Sequence, residues 1–170
     1  MAKRMDVRIV KEKDAKILYE KECGRSFCDT DGKWTIVYRE SCSVEYARYV
    51  IAHELGHILL GHRLTLDKYI GKRSFCGKPF TEKQADMFAV RLLCPACVIW
   101  ELELSSPQEI AEYCRVEMRV AEQRFERMKI LNKRGKYLTD PTERELYEKY
   151  RKYIEEVRAE RKRMTEMTDV

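Results

Sequence analysis

The chain has 170 residues, which suits one domain or one domain with a small appendage. An apolar fraction of 44% supports a core, while 37% charged residues accompany long solvated helices, and the net charge of +5 is too modest to demand nucleic acid. No stretch approaches the ~18 to 20 apolar residues of a membrane span, the N-terminus carries no apolar signal segment, and seven scattered cysteines do not make a secreted disulfide framework. A cytoplasmic protein with reduced thiols is expected.

Residues 7–22 have weak helical periodicity through Val10, Ala15, Leu18 and Tyr19, and stop at Cys23-Gly24. Asp29-Thr30-Asp31-Gly32 is a turn signal, leading into the β-branched and aromatic strand Trp34-Thr35-Ile36-Val37-Tyr38. Ser41 or Ser43 can cap the next helix, which runs to about Leu60, and Gly61 is placed to end it in a left-handed conformation. Residues 63–80 read as a loop, with a short strand near Lys68–Ile70. Thr81-Glu82-Lys83-Gln84 has the form of a capping box, opening a helix that ends before Pro95 and carries the stripe Ala85, Phe88, Ala89, Leu92. Ser106-Pro107-Gln108-Glu109 is a second capping box, starting a short helix to about Cys114. A longer helix follows over about 117–131, and Gly135 interrupts. Asp140-Pro141 starts the last helix, with its stripe on Leu146, Tyr150, Tyr153, Ile154 and Val157; beyond Arg158 the apolar residues thin out towards a frayed end.

The chemistry concentrates in His53-Glu54-Leu55-Gly56-His57, within a run that also holds His62, the third and last histidine. On a helix, His53 and His57 lie one turn apart and can place two imidazole nitrogens on one metal. Glu54, about 100° round from His53, can reach a metal-bound water as general base. This is the zinc-binding signature of metallopeptidases. On the helical wheel His62 falls with Ile51, Leu55 and Ile58, so it is expected on the core stripe, facing away from the metal. A His-Glu-x-x-His-x-x-Gly-x-x-His site is excluded, because position 60 is leucine and position 63 arginine.

Zinc needs a third protein ligand and one open position. With no histidine left, a carboxylate or thiolate must serve. Glu82 and Asp86, four apart on the next strong helix, suit a division in which Glu82 binds the metal and Asp86 accepts the spare N–H of a ligand histidine; the reverse assignment, with Asp86 as ligand, is the rival. For the oxyanion, Tyr46, Arg48 and Tyr69 are candidates.

Tyr49 to His62, followed by Glu82-Lys83-Gln84-Ala85-Asp86-Met87-Phe88-Ala89 and Leu92-Leu93-Cys94-Pro95, resembles the ImmA/IrrE family of metallopeptidases over roughly residues 30–100. The resemblance implies an α+β, zincin-like fold, mainly helical, with a small sheet beside the motif helix and a helical C-terminal extension. The expected boundaries are 1–104 for the metallopeptidase domain and 105–170 for the extension. It further implies site-specific cleavage of a helix-turn-helix repressor of a mobile element, with one Zn2+ held by His53, His57 and Glu82, and Glu54 as catalytic base. Cys94 stands where the family usually has methionine, making Cys94-Pro95-Ala96-Cys97 a Cys-x-x-Cys best read as structural thiols. The alternative function is a regulatory antirepressor that binds its target without cutting it.

Residues 110–131 also read like a helix-turn-helix pair displaying Arg119, Gln123, Arg124 and Arg127. Glu117, Glu122 and Glu126 would oppose phosphate, so packing or substrate docking is the expected role, and neither nucleic acid nor membrane is an expected partner.

Overall fold

The computed structural model describes residues 6–13, 17–62, 80–135 and 137–168. At the turn over residues 29–33, Asp29 Oδ1 accepts from the amides of Asp31 (3.0 Å) and Lys33 (2.8 Å), and Gly32 takes φ +79°. A side chain at that φ would be strained, so glycine fits where the chain reverses. The flanking strands, β2 (Gly24–Cys28) and β3 (Trp34–Arg39), therefore pair antiparallel. β1 (Val7–Glu12) runs parallel along the other side of β3, giving the order β1-β3-β2 with Val7 opposite Trp34. This corrects the helix expected over residues 7–22. Val7, Ile9 and Val10 favour a strand only once β3 is present to pair with them, and a local periodicity cannot register a distant partner.

Ser43 caps α1 (Val44–Leu59), its Oγ accepting from the Tyr46 amide at 3.1 Å. The helix ends as expected. Gly61 takes φ +70°, its amide donates to the Ile58 carbonyl, and the His62 amide donates to the His57 carbonyl at 2.9 Å. Those paired bonds close a Schellman turn.

α2 (Phe80–Leu93) packs on α1. It already includes Phe80, so Thr81 lies inside the helix rather than capping it, and the Gln84 side chain is engaged with His62. Val90 is buried and Leu92 exposed, which rotates the expected stripe slightly. The core of this part joins Ile36 and Val37 of β3, Val50, Ala52 and Ile58 of α1, and Ala85 and Ala89 of α2. The loop and short strand expected between residues 63 and 80, with Tyr69, lie outside the described residues apart from Phe80.

Small residues set how closely the two helices approach. A Cβ on Gly56 would meet the Ala85 Cα at 3.2 Å and Phe88 Cδ1 at 3.1 Å. Gly56→Val should therefore push α2 outward. The expected result is a loss of about 1–3 kcal/mol in stability together with weakened metal binding, read from melting curves and metal titration.

The chain divides into two compact units, residues 1–93 and 94–170. The second is helical: α3 (Ala96–Glu101), α4 (Pro107–Cys114), α5 (Met118–Lys133) and α6 (Pro141–Thr168). Ser106 and Glu109 form the expected capping box, with Pro107 first in α4. Arg124 does not face solvent. It is buried, and its Nε donates to the Cys94 carbonyl at 2.8 Å, which removes it from any phosphate-facing surface. Cys94 and Cys97 are both buried. Ile154 anchors α6 in the interior, and the helix continues to Thr168, past the point where its apolar stripe thins. Among the described residues no helix is long and apolar enough to cross a membrane.

Candidate metal centre

One turn of α1 separates His53 from His57, and their Nε2 atoms face each other at 3.0 Å. The close approach of α2 brings Glu82 between them: Oε2 lies 3.3 Å from His53 Nε2 and Oε1 lies 3.3 Å from His57 Nε2. His57 is almost completely buried, with 1% of its surface exposed, while His53 and Glu82 keep a little access. These three residues can hold a metal ion. Four donors arranged tetrahedrally at about 2.05 Å from a metal stand about 3.3 Å apart. The 3.0 Å between the two Nε2 atoms is close to one edge of such a shell, and Glu82 presents one carboxylate oxygen to each imidazole at 3.3 Å.

Asp86 sits behind His53, its Oδ1 3.0 Å from Nδ1. That separation is an ion-pair distance without hydrogen-bond alignment, so the contact is mainly electrostatic. The same Oδ1 accepts from Tyr49 Oη at 2.7 Å, which ties the carboxylate back to α1. Burial by itself lowers the His53 pKa, but the Asp86 and Glu82 carboxylates outweigh it and raise it to about 9.

Against an unfolded value of about 6.5, the raised pKa stabilises the metal-free fold fully below that pH, and the stabilisation is lost as pH rises through about 9. The same proton competes with metal. Between these pH values the metal-free protein is expected to lose on the order of a few kcal/mol from this group, while the stabilisation by added divalent metal grows. Melting curves with and without metal across the window check both signs.

Glu54 lies beside this cluster, 8% exposed, and its Oε2 accepts from Ser26 Oγ at 2.7 Å. Ser26 is on β2, and β2 reaches α1 only because residue 24 is glycine: a Cβ there would fall 2.1 Å from Val50 Cγ1. Ser26 goes unnoticed in sequence because β2 itself leaves no periodic signal. Tyr49 had a usable signal, four residues before His53 on the same helical face.

His62 requires a correction. It does not continue the stripe of Ile51, Leu55 and Ile58, because α1 has already ended and Gly61 reverses the backbone. Its ring turns back to the metal side, with Nδ1 3.0 Å from His57 Nδ1 and Nε2 3.1 Å from Gln84 Oε1. Of the oxyanion candidates, Tyr46 stacks on Tyr49 with centroids 6.4 Å apart.

A small mixed sheet beside a helix bearing His-Glu-x-x-His, faced by a glutamate on the next helix, defines an α+β fold of the zincin type. The family model Peptidase_M78, described as the IrrE N-terminal-like domain, matches residues 2–126. The chain belongs to this family, the ImmA/IrrE metallopeptidases that its motifs resemble. No curated protein matches the chain.

Proposed function

We propose that the chain is a zinc-dependent endopeptidase that cuts a protein substrate at a specific site, and that the substrate is a helix-turn-helix repressor of a mobile element. The observation that carries the reading is the convergence of His53, His57 and Glu82 within 4.8 Å, with the Glu54 carboxylate alongside. Two imidazoles and a carboxylate suit Zn2+ with one position left open. The choice of repressor rests on the family alone. In this reading residues 1–104 form the cytoplasmic catalytic domain and 105–170 a helical extension that docks substrate.

When bound, zinc supplies a Lewis acid that lowers the pKa of water to about 7 and polarises the scissile carbonyl. The remaining work falls to side chains. Glu54 takes the proton of the attacking water and delivers it to the leaving amine. Ser26 holds Glu54 Oε2, so the other oxygen is presented to the reaction. Asp86, held by Tyr49, keeps His53 oriented.

Incubating the purified chain with the repressor encoded beside it, with zinc or with a chelator, tests the reading. Defined fragments that disappear with chelator support it. An intact complex in both conditions favours the non-cutting antirepressor.

Ser26→Ala should lower kcat/KM about tenfold through the lost charge-assisted hydrogen bond, with zinc content unchanged. Equal rates for variant and wild type would remove Ser26 from the mechanism.

A further inference from the structure

His57 Nδ1, on the side of the ring away from Glu82, meets a neutral chain of two residues rather than a carboxylate. His62 Nδ1 is 3.0 Å away, with ring centroids 5.0 Å apart and planes inclined at 69°. His62 Nε2 in turn lies 3.1 Å from Gln84 Oε1. Neither partner is there by chance of a floppy loop: His62 is set by the Schellman turn at the end of α1, and Gln84 belongs to α2, two residues after Glu82.

We propose that His62 and Gln84 are positioning residues that fix the tautomer of His57 and so present its Nε2 lone pair to the metal. The inference rests on the reading of His53, His57 and Glu82 as ligands. An amide oxygen only accepts, so His62 Nε2 carries the proton. A neutral imidazole has one N–H, which leaves His62 Nδ1 as a lone pair. The Nδ1 to Nδ1 contact then requires the proton to sit on His57 Nδ1. His57 Nε2 is thereby bare, aimed at the same point as His53 Nε2 and Glu82.

Electrostatics explains why this anchor is neutral while that of His53 is charged. Glu54, Glu82 and Asp86 already place three carboxylates around the site. Their summed charge already exceeds that of a divalent ion, and a fourth behind His57 would add a further uncompensated negative charge to a largely buried site, where such charge is expensive. A histidine relayed to an amide sets ring orientation and tautomer without adding charge.

Nitrogen NMR on the zinc-loaded full chain with labelled histidines tests the assignment. The expected spectrum has His62 protonated at Nε2 alone, with a scalar coupling across the hydrogen bond from His57 Nδ1–H to His62 Nδ1. A proton on His62 Nδ1 overturns the proposal. Zinc affinity, measured by competition with a chromophoric chelator, gives a second readout. His62→Phe and Gln84→Met should each weaken binding about 10- to 100-fold while the metal-free melting temperature stays near wild type. If His62→Phe does not fold, Gln84→Met carries the measurement, since Gln84 is only half-buried. Wild-type affinity in Gln84→Met overturns the relay and leaves the metal centre standing. A wild-type chain that binds no zinc overturns both.

Discussion

Replacing Glu54 with glutamine is expected to abolish cleavage of the cognate repressor while leaving the fold and the bound zinc in place. The substitution keeps side-chain size and shape, and Ser26 Oγ can still donate to an amide oxygen where it now meets Glu54 Oε2. The exchange leaves the contacts of His53 and His57 with each other and with Glu82 in place. What disappears is basicity, because an amide cannot take a proton from water near neutral pH. General-base catalysis contributes about 10²- to 10⁴-fold, so turnover should fall below detection in an assay that resolves a hundredfold loss. Initial rates, zinc content by elemental analysis and a melting curve on one preparation separate a chemical effect from a folding one. Retained cleavage in this variant would sink the assignment of Glu54 as the base.

Removing Glu82, the proposed third ligand, attacks the metal instead of the reaction. Structural zinc sites bind with about 10–16 kcal/mol spread over four ligands, so Glu82→Ala should weaken zinc binding by roughly 10²- to 10³-fold. The fold should survive. Glu82 stands in the first turn of α2 with 22% of its side chain exposed, and its loss costs the helix dipole about 0.3–1 kcal/mol. Asp86→Asn should do less, about 10- to 100-fold, because Asp86 acts on His53 from the far side of the ring. The ranking of the two variants decides between Glu82 and Asp86 as ligand. A larger loss in Asp86→Asn than in Glu82→Ala would exchange their roles.

That His53, Glu54 and His57 lie together on one turn of helix could be read in advance because their relationship is local. Residues one turn apart share a face in any α-helix, whatever that helix packs against. The same holds for the Ser43 cap, the end of α1 at Gly61 and the Ser106 capping box, each encoded within a few residues. β1 and β2 were not legible. Both depend on pairing with β3, and residues 7–12 carry no local preference strong enough to reveal it. Ser26 was lost along with β2. His62 failed for a different reason: the wheel extrapolated a helix past the glycine that ends it, although Gly61 itself was recognised.

By itself, the sequence determined that the chain carries His-Glu-x-x-His, that a metal held there would need a carboxylate or thiolate from elsewhere, with Glu82 and Asp86 as the candidates, and that the motif lies on a helix closed by Gly61. Those properties follow from spacing along one element. Only the tertiary structure decided how the set is assembled. Gly56 against Ala85 and Phe88 lets α2 approach until Glu82 spans both imidazoles, and Gly24 lets β2 bring Ser26 to Glu54. The left-handed turn at Gly61 returns His62 to His57, where Gln84 meets it. Each of these depends on how near two elements can come, and that distance is set by the atoms of both.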